Sequence, residues 1–237
     1  MIERLLEIQK LNLASKIAKD NIFNSTLPIR VKVLAKKGGM KYLLQVGARM
    51  LETRSQRELE VGAKYFAMMK GGKAGNIILS SLTPEPKVSK SPLSLDFLES
   101  KELLSKNTFK EIAEFASEQL AHSKNKEEFL QWAFVLSGLQ KGVLSLNIQE
   151  EEKKHYTQIK KRKNSLEFYA LFSHLGSISG LVTPSTLDLS VMYPSVAKFL
   201  SENLEGMKWR GEVRIKVSNG EIAPLFFLQE QLLNLSI

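Results

Sequence analysis

Residues 167–180, EFYALFSHLGSISG, decide how this chain is read. Ser173 and His174 stand side by side between an apolar run and two glycines. The pair belongs either to a hydrolase site or to a turn between strands. A nucleophilic serine needs a base within hydrogen-bond reach, an orienting carboxylate and an oxyanion hole. Neighbouring strand residues point to opposite faces, so these two do not pair with each other. No Gly–x–Ser–x–Gly elbow frames Ser173. The turn accounts for more of the pattern. Leu166, Phe168 and Ala170 alternate with Glu167, Tyr169 and Leu171 as the two faces of a strand. "HLG" then turns the chain, and "SISGLV" opens the next strand.

Outward from that turn the pattern continues. "STLDLSV" reads as a third strand after a Thr183-Pro184 turn. "PSVAKFLSENLEGM" reads as a helix, with Pro194 near its start and Gly206 near its end. "WRGEVRIKVS" alternates as a closing strand, so the order is β-β-β-α-β. Upstream, "GVLSLNIQ" and the start of "TQIKKRKNSLEFYALFS" read as strands, with KKRKN at 160–164 as a solvated hairpin tip. "TFKEIAEFASEQLAHS" and "NKEEFLQWAFVLSGLQ" read as a helical pair. The first sets Phe109, Ile112, Phe115, Ala116 and Leu120 on one face, and the second starts on an Asn125–x–x–Glu128 cap. Trp132 is assigned to the core. "PLFFLQEQLLNLSI" is an apolar tail expected to dock.

The N-terminal third is organised differently. Residues 84–92 carry three prolines and read as a linker. Before it, short strands are punctuated by Gly38-Gly39, Gly47, Val61-Gly62 and Gly71-Gly72 with Gly75. About five strands in this space suit a small five-stranded barrel, OB-like or SH3-like. Residues 1–24 read as an amphipathic helix. The expected class is therefore α+β: helix 1–24, basic barrel 25–83, linker 84–92 and an α+β domain over 93–237.

Composition narrows the chemistry. The chain has no cysteine, which excludes disulfide and thiolate chemistry and favours a cytoplasmic location. Three histidines lie far apart in the sequence and form no His–Glu–x–x–His run, and no phosphate loop or dinucleotide fingerprint is present. No cofactor and no enzymatic activity are expected. No apolar run approaches the ~18–20 residues of a membrane span, and the first residues lack a signal-peptide core.

The net charge is +9, and residues 1–82 hold 15 Lys/Arg against 6 Asp/Glu, the whole of that surplus. Such asymmetry points to an anionic partner. The candidate contacts are Arg30, Lys32, Lys36, Lys37, Lys41, Arg49, Arg54 and Arg57, with a second basic run at Lys160, Lys161, Arg162 and Lys163. A nucleic-acid reading of residues 1–82 would set these cations on phosphates and use Tyr42, Tyr65 and Phe66 to stack bases.

The pieces "LEFYALFSHLGSISGLV", "STLDLSV", "SVAKFLSENLEGM" and "GEVRIKV" resemble, in order, the C-terminal domain of flagellar hook-length control proteins. The resemblance covers residues ~165–217. "IRVKVLAKKGGMKYLLQVGARMLETRSQRELEVGAKYFAMM" is similar to the small β domain often found upstream in that family. The resemblance implies a cytoplasmic protein of the type III export machinery whose C-terminal domain contacts the export gate and switches substrates. That family's ruler region is long and Pro/Gln-rich, whereas here nearly every stretch is periodic. The resemblance therefore implies an adaptor or short paralogue without ruler function, with an export-gate component or another flagellar protein as partner.

Overall fold

The structure is a computed structural model, and it describes residues 26–71, 77–88, 93–106, 108–150, 153–207 and 211–227. The expected helix over 1–24, the turn at Gly72 and Gly75, and the end of the tail lie outside the described residues. What is described is α+β: a five-stranded sheet, a seven-stranded sheet and four helices.

The small sheet comprises β1 (Ile29–Gly38), β2 (Lys41–Val46), β3 (Arg49–Arg54), β4 (Lys64–Gly71) and β5 (Ile77–Pro84), in the order β3-β2-β1-β4-β5. All its pairings are antiparallel. Gly38, Gly39 and Gly47 supply the positive φ that its tight turns need. Alternation works as the sequence suggests: Ile29, Val31 and Val33 join Tyr42, Leu44, Val46, Tyr65, Ala67 and Met69 in one core. The expected barrel is corrected here. The sheet is open, because β3 and β5 end it on opposite sides and no ladder joins them among the described residues. Register shifts at Val33/Ala35 and Phe66/Met68 bend the sheet. Across the gap, the Arg57 guanidinium donates to the Leu82 carbonyl of β5, a side-chain link where a closed barrel would have a strand pair.

The large sheet comprises β6 (Ser94–Asp96), β7 (Val143–Glu150), β8 (Lys153–Lys161), β9 (Leu166–Phe172), β10 (Gly176–Val182), β11 (Thr186–Val191) and β12 (Glu212–Val217), ordered β12-β11-β10-β9-β8-β7-β6. Its middle five strands form an antiparallel meander, and each outer strand is parallel to its neighbour. Parallel neighbours need helical crossovers. α1 (Phe97–Lys106), α2 (Phe109–Ala121) and α3 (Lys126–Gln140) return the chain from β6 to β7, and α4 (Pro194–Glu202) carries it from β11 to β12.

β9 and β10 place a hairpin turn at the opening stretch. Ser173, His174 and Leu175 form the hairpin loop, and Gly176, at φ +74, follows it. A three-residue loop closed by a left-handed glycine is a common hairpin connection. The expected β-β-β-α-β order is present as β9-β10-β11-α4-β12, with Thr183 Oγ1 accepting from the Ser185 and Thr186 amides at the next turn.

The helices start on one device used three times. Asp96, Thr108 and Asn125 each accept the backbone N–H of a glutamate three residues on, Glu99, Glu111 and Glu128. The Thr108 amide donates back to Glu111 and holds its carboxyl below the usual range. Sequence reading found only the last of these caps, and α1 with β6 was missed although the Asp–x–x–Glu signal was present. Trp132 is 7% exposed and in the core, as expected. Phe115 is not buried with Ile112 and Ala116, but meets Trp132 edge-on at 5.7 Å.

One packing contact inside the large sheet is unusually demanding. Gly180 faces Phe168 across the β9–β10 ladder, and a Cβ there would fall 2.4 Å from the Phe168 ring and 2.9 Å from the Asp188 carbonyl oxygen. Phe168 is fully buried and has nowhere to turn. Gly180→Ala is expected to cost about 1–3 kcal/mol by overpacking. Urea unfolding checks it: a midpoint equal to that of the parent chain would show that the ring yields freely.

Candidate functional site

The candidate site is the outer face of the small sheet, opposite the core face. Its rows follow from register. Lys64, Lys32, Gln45 and Met50 lie side by side across β4, β1, β2 and β3. Leu43 lies beside Glu52, and Lys41 beside Arg54. On the same face Arg30 pairs with Phe66, and Phe66 with Thr83.

That face is divided in two. Its β4–β5 half is covered. Phe66 is fully buried and belongs to the core of the large sheet, with Leu27 beside it in the same cluster. The β9–β10 turn and the start of α4 receive it: a Cβ at Gly176 would lie 3.5 Å from the Tyr193 ring and 3.9 Å from Phe66. The Tyr193 hydroxyl lies 3.3 Å from the Ser81 carbonyl and 3.2 Å from Thr83 Oγ1. Ser81 holds a φ of +52 in β5, a strained value for a non-glycine residue. The rest of the face is open: Lys32 of β1, Lys41 of β2, Arg54 and Met50 of β3, and Lys64 at the start of β4 are exposed.

The nominated cations separate into two groups. Several are engaged within the chain. Arg30 Nε sits 2.8 Å from a largely buried Glu85 carboxylate, an ion pair outside aligned hydrogen-bond geometry, and its guanidinium lies 5.7 Å from the Phe66 ring centroid. It therefore helps to seal the joint between the sheets. Lys36 is held by Glu58 at 2.6 Å, which raises the lysine's pKa and lowers that of the glutamate, mainly through the shared hydrogen bond. Arg57 bridges to β5 and lies 5.9 Å from the Tyr65 ring. Arg49 is at the start of β3, also with an interaction of its own. Lys37 is exposed near the β1–β2 turn. Lys32, Lys41 and Arg54 lie on the open half with Lys64, which sequence reading did not nominate. The signal that finds Lys64 is register, since it stands opposite Lys32.

The second basic run is in a separate place. Lys160 and Lys161 end β8, and Arg162 and Lys163 lie in the loop before β9, as the hairpin-tip reading expects. Arg162 Nη2 is 2.8 Å from Glu167, and Lys160 stands across from the same glutamate. The run thus already has an acid of its own.

The three rings proposed to stack bases are all buried. Tyr42 and Phe66 are fully buried and Tyr65 is 7% exposed. The hydroxyls of Tyr42 and Tyr65 accept the Leu59 and Glu60 amides, so these rings pin the loop between β3 and β4.

Elsewhere, Ser145, Tyr156 and Gln158 form a buried polar cluster in β7 and β8. The Gln158 amide donates to the Phe226 carbonyl at 2.6 Å and accepts the Phe226 N–H at 3.1 Å. The Phe226 ring lies 5.3 Å from Phe134. This is the docking expected of the tail, shown for its described part. No group of His, Cys, Asp and Glu suited to a metal occurs among the described residues, and no described helix is long and apolar enough to cross a membrane.

No family model, curated protein or solved structure matches the chain.

Proposed function

We propose that this chain is a non-enzymatic protein–protein interaction protein of the flagellar type III export apparatus, an adaptor or short paralogue related to hook-length control and substrate switching. The observation that carries this reading is the unit β9-β10-β11-α4-β12. Three antiparallel strands, a helix and a closing parallel strand follow in the order of the resembling family's C-terminal domain. The "LG" of the resemblance falls in the first hairpin, with Leu175 buried and Gly176 left-handed. The small β sheet upstream supports the same reading. The partner is a protein of the export gate or of the flagellum, met in the cytoplasm. Nucleic-acid binding through the basic N-terminal region is the competing reading, and burial of Tyr42, Tyr65 and Phe66 leaves it the phosphate contacts without those three rings to stack bases.

Electron microscopy of flagella from a strain deleted for this gene tests the proposal. Overlong hooks or missing filaments are the expected result. Hooks and filaments of normal length and number would sink it.

A further inference from the structure

We propose that the open half of the small sheet's outer face docks an acidic, leucine-bearing segment of a partner protein, through Lys32, Lys41, Arg54 and Lys64 set around Met50 and Leu43. This rests on the protein-binding reading above and specifies what the small sheet takes.

Lys32 stands directly opposite Lys64, and Lys41 directly opposite Arg54. Like charges facing one another across a ladder destabilise a sheet. Elsewhere in this region Glu85 takes Arg30, and Glu58 takes Lys36. Lys32, Lys41, Arg54 and Lys64 have no ion pair among the described residues. Of the described acids on this face, Glu85 stands beside Lys64 but is taken by Arg30, and Glu52 is exposed on β3. Two opposed cation pairs that serve nothing inside the fold are explained by an anionic ligand that lies between them.

Met50 is 68% exposed at the β3 end of the Lys64–Lys32 row, and half-buried Leu43 lies diagonal to it on β2, between that row and the Lys41–Arg54 pair. A phosphate backbone gains little from a thioether and an isobutyl group. A protein segment carrying its own apolar side chains buries them there, and methionine adapts to such contacts. Among the described residues no stacking ring for bases stands on this half of the face, because Tyr42 and Tyr65 belong to the sheet's own core and Phe66 lies in the joint.

Fluorescence anisotropy with the full chain at about 0.15 M salt, where exposed charges are screened beyond ~8 Å, tests the proposal. Three labelled probes are compared: an all-glutamate peptide, a peptide with the same number of glutamates interleaved with leucines, and a DNA duplex of equal charge. The Glu/Leu peptide is expected to bind most tightly. The double variant Lys32→Glu, Arg54→Glu is expected to weaken it on the order of tenfold or more, since two attractions become repulsions. Its melting temperature is expected to hold or rise, because each reversal now faces a cation, Lys64 or Lys41. If that variant does not fold, Lys32→Gln with Arg54→Gln gives the same comparison with neutralisation only. Duplex bound as tightly as the Glu/Leu peptide overturns the proposal, and so does peptide affinity unchanged in a folded variant. Normal flagella in the deletion strain with intact peptide binding would remove the export reading and leave this face standing. A flagellar defect with no peptide binding would do the reverse.

Discussion

Phe66→Ala is expected to lower stability by about 3–5 kcal/mol, the range for removing a fully buried aromatic ring, and to uncouple the two sheets. Phe66 sits where they meet, on the face of β4 that points away from the small sheet's core. Arg30 covers it while pairing with Glu85. Removing the ring leaves a cavity against Tyr193 and Gly176 and takes away the surface on which the Arg30 guanidinium lies. The small sheet keeps its own core of Val31, Val33, Tyr42, Leu44 and Ala67, all buried. Unfolding should therefore split into two steps. Trp132 lies in the core of the large sheet, so its emission, read in a Trp209→Phe background, reports the large one. Circular dichroism reports both. Guanidinium curves from the two signals should coincide in the parent chain and separate in the variant. Coincident curves with a loss under ~1 kcal/mol would mean that the joint lies elsewhere.

Raising the pH from 10 to 12 is expected to remove about 4 kcal/mol of stability. Burial pushes the phenols of Tyr156 and Tyr169 up to about 12 each, against an ordinary value near 10, while hydrogen bonds to Ser145, Gln158 and Ser177 work in the opposite direction. Below pH 10 both the folded and the unfolded chain hold these protons, so this part of the stability is complete there. Between pH 10 and 12 the unfolded chain releases them and the folded chain does not. The unfolded state then binds fewer protons, so stability falls as pH rises. A two-unit difference is worth about 2–3 kcal/mol per tyrosine. Against a typical domain stability of about 5–15 kcal/mol, that is enough to bring on alkaline unfolding. Urea midpoints measured through this window, with tyrosinate absorbance followed in parallel, check it. Tyr156→Phe should halve the slope. A flat stability from pH 10 to 12 would show that water reaches both hydroxyls.

The hairpin at 173–175 was legible because a period of two on both sides of a glycine leaves few alternatives. The cap at Asn125 was legible because it is a local rule of four residues. The open edge of the small sheet was not. Five short strands with glycine turns are compatible with a closed or an open sheet, and closure depends on register between β3 and β5, which no local pattern encodes. The site was legible in part. Charge counting found Lys32, Lys41 and Arg54, but it also collected Arg30, Lys36, Arg57 and Arg162, whose acceptors lie up to 55 residues away in the chain, as Glu85 does from Arg30.

Phe66 shows why counting by face also fails. In sequence it neighbours Tyr65, and alternation assigns one ring to the core and the other to solvent. In the fold both are buried, because β4 has the small sheet's core on one side and the large sheet's core on the other. The sequence alone determined most of the strands and helices, their turns and the surplus of positive charge, since these follow from periodicity and composition over a few residues. Tertiary structure alone decided which cations are already neutralised, which rings are hidden and which half of a sheet stays open. Those outcomes depend on what folds against each residue from elsewhere in the chain.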